Sequence, residues 1–497
     1  MEIDELLFGP AKPDTSGWSI PALAIDLLPH QEEAVKFAIA KQQTYLALDM
    51  GLGKTACAIA VIASAHQALA TPAIIIVPPS LRRTWLEEFK KFAPHLKVRE
   101  LRGQASKPLE PADVYIIGDS IISCWVDDAT EDPNTLLGKF RVIVVDEAHR
   151  SKNMSASRTR AIIKLANTCD TIRILMSGTP TPNGRNQEMG PQIESLGSSA
   201  WDGIGGKGKF WSYHCPVERD PNGKLNKFGK RANIDSLGLN EAMTSSFMLR
   251  RKRGDVLDLP TKGRGAVHIE GLGKAVSDYK LAEDDLISYL AGEGKEWRAA
   301  VRNEALVKLT TMRKLAGECK VKGVIERAKE FLRETKDYDV VPGLLIIAEH
   351  HSVMGPLVAG LEKYGVVAYN GTMNDDEKAE AVKDFNSGKA RVLVGQIKSA
   401  GVGLTLHGDG RNHHVIICQL PWSPADIQQA EDRVHRIGQT SNVNVEICLA
   451  SIDNVWTIDE RLWALLEVKA FSAGEIIDGK GEFLLEEIQD NIIDSYR

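Results

Sequence analysis

Two stretches of the chain hold short runs that are apolar at nearly every position, with helical patterns between them. In the first stretch the runs are Tyr45–Leu48, Ala73–Val77, Val114–Ile117, Val142–Val145 and Ile172–Met176. In the second they are Leu344–Ile347, Val366–Tyr369, Val392–Val394, Val415–Cys418 and Val443–Cys448. A strand that is apolar on both sides of its pleat is covered on both faces, as in parallel sheets flanked by crossover helices. The pattern predicts an α/β protein of two parallel-sheet lobes, at 25–246 and 263–470. Residues 1–24 precede the first lobe and 247–262 join the two. Within the first lobe, 201–240 breaks the alternation. It is rich in Gly and Lys and carries the turn signal DPNG at 220–223. Within the second, 274–335 is helical by pattern, and Ala305, Leu309 and Met312 share one face at i, i+4, i+7. The last segment, 471–497, ends in a helical pattern with Leu484, Leu485, Ile488 and Ile492 on one side, read as a core helix packed back on a lobe.

Composition narrows this picture little. The 497 residues are 43% hydrophobic and 26% charged, with a formal net charge of −6. An overall acidic chain is not coated for polyanions, although a local basic groove is compatible with it. The start, MEIDELLF, is acidic where a secretory signal is basic. The most apolar stretch, Ile59 to Val77, is interrupted by His66, Gln67 and Pro72, so no membrane span is predicted. Seven scattered cysteines include no CxxC pair and no zinc-spaced cluster, which predicts reduced thiols in a soluble intracellular protein without zinc. The expected compartment is the cytoplasm of a prokaryote or of a phage-infected host, or the nucleus if the source is eukaryotic.

The chemistry is concentrated in a few short motifs. In DMGLGKT (49–55), Gly51 and Gly53 permit a backbone whose amides face phosphate oxygens. Lys54 is then expected on the β- and γ-phosphates, and the Thr55 hydroxyl on Mg²⁺. The loop follows the apolar run YLAL and precedes the helical run ACAIAVIASA, although Leu48 stands where the strict pattern wants glycine. RVIVVDEAH (141–149) ends a strand in two carboxylates. Asp146 suits a Mg²⁺ ligand and Glu147 a group that handles the attacking water. In QQAEDRVHRIGQ (428–439), Arg433 and Arg436 are three apart, so a helix places both on one face. The expected catalytic set is Lys54, Asp146, Glu147, Arg433 and Arg436.

Taken in order, these motifs resemble those of superfamily-two helicase-like ATPases, specifically the Swi/Snf-related branch. Also similar are LLPHQ (27–31), IIIVPPSLRRTW (74–85), MSGTPTPN (176–183) and FMLRRKRGDVLDLPTK (247–262) in the first half. LLIIAEHH (344–351), YNGTM (369–373), SAGVGLTL (399–406) and PWSP (421–424) follow in the second. The resemblance spans about 25–450. It implies two RecA-like lobes with an ATP cleft between them, 247–262 being the linker. It further implies nucleotide contacts from Gln31 (the base reader), Asp49, Met50, Gly51, Leu52, Gly53, Lys54, Thr55 and Gly403, with Mg²⁺ on Thr55 and Asp146. Nucleic-acid contacts are implied at Ser80, Arg82, Thr179, Arg250, Ser399 and Trp422. PPSLRRTW, GTPTPNGRNQEMGPQI and QAEDRVHRIGQTSNV resemble the subgroup of eukaryotic annealing helicases that remodel stalled forks. No flank comparable to those members' extra modules accompanies the motifs, so a bare motor is expected.

Two segments reverse the overall acidity. Residues 205–231 hold seven Lys/Arg against two Asp/Glu, with Phe210, Trp211, Tyr213 and Phe228 among them, and 247–264 hold six against two. Basic residues interleaved with aromatics can neutralise phosphates and stack on bases. The resemblance implies a duplex or forked DNA partner tracked 3′→5′ through its backbone, with ATP and Mg²⁺ as cofactors. The alternatives are an RNA-dependent ATPase, since DEAH also occurs in RNA helicases, and an ATP-gated DNA-binding protein that does not turn over.

Overall fold

A computed structural model describes residues 14–104, 107–126, 134–181, 185–217, 231–257, 259–293, 299–397, 404–453, 455–467 and 485–496. The chain divides into two compact units, changing from one to the other between Val256 and Leu257. Each is a RecA-like parallel sheet with helices.

The sheet of the first unit has seven strands in the order β3-β4-β2-β5-β6-β1-β7. They are β1 (Gln43–Leu48), β2 (Ala73–Val77), β3 (Val98–Leu101), β4 (Val114–Gly118), β5 (Val142–Val145), β6 (Ile172–Met176) and β7 (Met248–Arg251). Every pairing is parallel. Helices Lys54–Gln67, Arg82–Phe92 and Ser157–Asn167 are among the elements between them. The five apolar runs expected here are all strands. β3 and β7 were not expected: VREL and MLRR carry too little apolar character to stand out. Met248–Arg251 belongs to the expected linker, yet it pairs with β1 as an edge strand.

The sheet of the second unit has the order β10-β11-β9-β12-β13-β8. Its strands are β8 (Lys262–Glu270), β9 (Leu344–Ala348), β10 (Val366–Tyr369), β11 (Val392–Gln396), β12 (His414–Ile417) and β13 (Val443–Ser451). Alternation along β9 sorts the core cleanly. Leu345 and Ile347 join one apolar cluster, and Leu344, Ile346 and Ala348 join another. A side-chain period of two sends successive residues to opposite faces, so both faces are covered. Among its described residues the helical region holds the helices Lys274–Glu293 and Ala299–Glu334. Ala305, Leu309 and Met312 are fully buried in the first of these clusters. The terminal helix Leu485–Asp494 buries Ile488 and Ile492 against the same cluster, as a core helix does. β8, with its glycines and charges, gave no strand signal in the sequence and runs along the edge beside β13.

Candidate nucleotide-binding site

In the first unit the loop 49–53 leaves the end of β1 and runs into the helix Lys54–Gln67. Gly51 (φ +83°) and Gly53 (φ +77°) hold the left-handed backbone that turns the loop. Leu52 is buried and pins it to the core. The first amides of a helix have no partner within the helix, and its dipole favours an anion at that end. Thr55 lies partly buried in this first turn. Lys54 donates to the backbone carbonyls of Leu48 (2.9 Å) and Asp49 (3.3 Å). Burial lowers its pKa, against the pull of the nearby carboxylates of Glu147, Asp146 and Asp49. Gln31 sits against the loop: its amide donates to the Leu52 carbonyl (3.1 Å), and His30 Nε2 lies 3.0 Å from the same oxygen.

Asp146 and Glu147 follow β5. The indole N–H of Trp85 donates to Asp146 Oδ2 (2.9 Å), and the Glu147 amide donates to Oδ1 (2.9 Å). Burial, then the neighbouring Glu147 charge, push Asp146 up to about 6. Glu147 has φ +49°. A left-handed non-glycine residue costs about 1–3 kcal/mol and persists only where its surroundings fix it. Its Oε2 lies 3.3 Å from His149 Nδ1, which in turn is 2.9 Å from Ser177 Oγ. The Thr179 amide donates to that hydroxyl (3.0 Å). His149 therefore bridges the two segments, through an ionic contact to Glu147 on the carboxylate strand end and a hydrogen bond to Ser177 in the SGT segment after β6.

The other expected positions of this unit divide. Ser80 is exposed in the turn Pro79–Leu81. Arg82 is held by Glu100 (2.8 Å) and the Pro79 carbonyl (3.1 Å). Arg250, expected at nucleic acid, reaches Asp49 Oδ1 (2.7 Å) and the Ala47 carbonyl (2.8 Å) within this unit. Asp49 in turn accepts from the Arg253 amide (2.9 Å), and the Arg253 guanidinium donates to the Met50 carbonyl (2.8 Å). Arg250 on β7 and Arg253 just after it thus buttress the glycine loop. Of the aromatics expected to stack on bases, Phe210 is fully buried against Trp201, and Trp211 packs beneath Arg231 and against Gly190. Tyr213 is the exposed one, and Phe228 lies outside the described residues.

In the second unit the helix Pro424–Glu431 ends before the arginines. Arg433 and Arg436 lie on the following turn, not on a helical face, because the backbone breaks from the helix at Asp432. They converge all the same. Arg433 Nη1 (3.3 Å) and Arg436 Nη1 (2.7 Å) both donate to the Leu404 carbonyl. Arg436 also donates to Thr405 Oγ1 (2.9 Å). Gln439 closes the turn, its amide donating to the carbonyls of Asn412 and Val434. Trp422 is half-buried on the core with the Arg313 guanidinium 4.6 Å from its ring centre. Gly403 and Ser399 lie outside the described residues.

The family model described as SNF2-related domain matches residues 30–320, and the helicase conserved C-terminal domain matches 328–438. The chain belongs to the SNF2-related family. Among curated relatives, the mouse DNA annealing helicase and endonuclease ZRANB3 is 29% identical over 479 residues, 93% of this chain and 42% of the relative. The human protein of that name is 29% identical over 482 residues. The SWI/SNF-related matrix-associated actin-dependent regulator of chromatin subfamily A-like protein 1 of Xenopus tropicalis is 29% identical over 469 residues, 91% of this chain and 45% of that one. This SNF2-related chain therefore spans less than half the length of these relatives. Among solved structures, the Sulfolobus solfataricus SWI2/SNF2 ATPase core in complex with dsDNA aligns over 93% of this chain and 95% of its own, at 23% identity and a TM-score of 0.41.

Several side chains around the site carried no role in the sequence reading. Trp85 was visible only as an aromatic within PPSLRRTW. Nothing local marks Arg253, Ser177 or Glu431 as partners of the loop, the carboxylates or the arginine turn. No helix among the described residues is long and apolar enough to cross a membrane, and all seven cysteines are free thiols.

Proposed function

We propose that the chain is a DNA-stimulated ATP hydrolase that moves along duplex DNA, a remodelling motor of the SNF2-related type. The observation that carries the proposal lies in the first unit: a glycine-shaped loop opening a helix, its lysine close to two strand-end carboxylates. In this reading Lys54 and the loop amides hold the β- and γ-phosphates, Glu147 orients the attacking water, and Gln31 reads the base. Arg433 and Arg436 meet the transferring phosphoryl group, where such a guanidinium is worth about 10³–10⁵ in rate. Asp146 and Thr55 would hold Mg²⁺, which neutralises charge on the phosphates when bound. The donor set suits a divalent cation, since Asp146 is raised by burial and by a second carboxylate beside it. Residues 25–246 and 263–470 would act as the two motor lobes.

DNA as partner is supported by family membership and by relatives named for annealing helicase activity. Contacts of this kind go to the phosphate backbone, so binding is expected to be indifferent to base sequence and steeply salt-dependent. Strand annealing is the finer activity that the name of the ZRANB3 relatives suggests.

The test is ATP hydrolysis measured with no nucleic acid, single strands, duplex, forked DNA and RNA. Stimulation by duplex or forked DNA well above RNA is the expected result. Greater stimulation by RNA would replace the partner with RNA. DNA binding that responds to ATP without turnover would reduce the chain to an ATP-gated binder.

A further inference from the structure

The root of the arginine turn is Glu431. The Glu431 carbonyl accepts the amides of Val434 and His435 (both 3.0 Å), while Arg433 Nε donates to the Gln429 carbonyl one turn earlier (3.1 Å). The Glu431 side chain is completely buried. It closes the C-terminal end of the helix Pro424–Glu431, where the helix dipole disfavours a negative charge. Three bonds from one short segment offset that cost. Arg264 grips the carboxylate with a fork, Nε to Oε1 at 2.7 Å and Nη2 to Oε2 at 2.8 Å, and Lys262 Nζ adds a third contact to Oε2 at 2.6 Å. Two residues upstream of Lys262, the Pro260 carbonyl lies 2.8 Å from His435 Nε2, inside the turn. Thus 260–264, where the chain enters the second unit, fastens both to the root of the arginine turn and to its middle.

A buried charge held this way adds little to stability, since apolar side chains of similar volume often serve as well. What a forked pair adds is geometry. We infer that Glu431, Lys262 and Arg264 are positioning residues for Arg433 and Arg436, fixing the arginine turn from the chain that enters the unit. The inference rests on the proposed ATP hydrolysis. These three groups touch no phosphate; they set where the two guanidiniums point.

The experiment compares the full chain with Glu431→Gln, which keeps the shape and removes the charge, and Arg264→Lys, which keeps the charge and removes the fork. Steady-state ATP hydrolysis is measured at saturating duplex DNA, with melting curves alongside. Misplacing a catalytic group by about 1 Å can cost on the order of 100-fold. Glu431→Gln is therefore expected to lower kcat by roughly 10-fold to 100-fold, with KM for ATP within about threefold. Arg264→Lys is expected to show the same split at roughly 3-fold to 10-fold. In an Arg436→Ala background, Glu431→Gln should cost less than about twofold more, because groups that act as one unit are not additive. Folded variants with wild-type kcat overturn the inference, as do losses that add in full on Arg436→Ala. Should Glu431→Gln fail to melt cooperatively, Arg264→Lys alone decides. A wild-type chain without hydrolysis sinks the ATPase proposal itself, a separate outcome.

Discussion

The glycine loop and the arginine turn are built in opposite ways. The loop is mostly local: two left-handed glycines, a helix that starts at Lys54, and a lysine that reaches carbonyls five and six residues back. The arginine turn is mostly remote. Its root is held by Lys262 and Arg264, 169 and 167 residues away in sequence, and its guanidiniums rest on Leu404, 29 and 32 residues away. A locally built site can be read from a short motif, because the motif supplies its backbone shape and its lysine, while Arg250 and Arg253 buttress it from far along the chain. A remotely built one shows only its working residues, and the ones that place them look like ordinary surface charges.

The largest expected effect tests whether the two regions serve one reaction. Arg436→Ala should lower the turnover rate by about 10³-fold or more. Glu147→Gln should lower it by about 10²–10⁴-fold. Both should still bind ATP, as measured with a fluorescent analogue, and both should melt near the wild-type temperature. If Arg436→Ala instead prevents folding, the arginine is a structural group and the comparison loses its functional half. If Glu147→Gln retains full DNA-stimulated turnover, the strained residue after β5 has been given the wrong role.

The same contrast explains how much was legible in advance. The ten apolar runs foretold ten strands because most of those strands are covered on both faces and so largely apolar. β3, β7 and β8 escaped because VREL, MLRR and KGRGAVHIE mix charged residues with apolar ones, as edge strands often do. The DMGLGKT loop and the DEAH carboxylates were found by motif, and the structure gathers them in the first unit. Arg433 and Arg436 were found as a pair but placed on a helix, since i, i+3 spacing carries no information on where a helix stops. The family resemblance implies a nucleic-acid contact for Arg250, and the structure adds an ion pair to Asp49. Its partner Asp49 is 201 residues earlier, and no local pattern could reveal that pairing.

A third prediction asks whether remote ionic pairing is a general habit of the second unit. Glu446, on β13, is nearly buried. It accepts from Arg327 at 2.9 and 3.1 Å and lies 3.2 Å from His414 Nε2. Burial alone raises its pKa, but the bonds from His414 and Arg327 outweigh that and bring it down from 4.5 to about 2. A carboxylate with a depressed folded pKa adds stability above its unfolded pKa and loses it as pH falls through the folded value. The contribution should therefore be full above about pH 4.5 and fade towards pH 2, with a ceiling of about 3 kcal/mol at 1.36 kcal/mol per unit. Glu446→Gln should lower the denaturation midpoint at pH 7 and lose that difference as the pH approaches 2. An equal deficit at both ends would assign the effect to packing rather than charge.

The smallest effect sharpens the local half of the comparison. Gly53 holds φ +77°, a conformation that costs a side-chain-bearing residue about 1–2 kcal/mol. A Cβ there would also come within 2.2 Å of Gln31 Nε2. The amide is the far end of a flexible side chain, so it can swing away, and in doing so it must give up its bond to the Leu52 carbonyl. Gly53→Ala should thus lower stability by about 1–2 kcal/mol and also disturb the residue proposed to read the base. The expected result is a fall of roughly tenfold in preference for ATP over GTP, since leaving one buried hydrogen-bonding group unsatisfied costs about 1–3 kcal/mol. In a Gln31→Ala background the same substitution should lower stability and leave the base preference where Gln31→Ala had put it. If preference still falls there, the loop reads the base by another route, and even the locally built region depends on partners that its motif does not name.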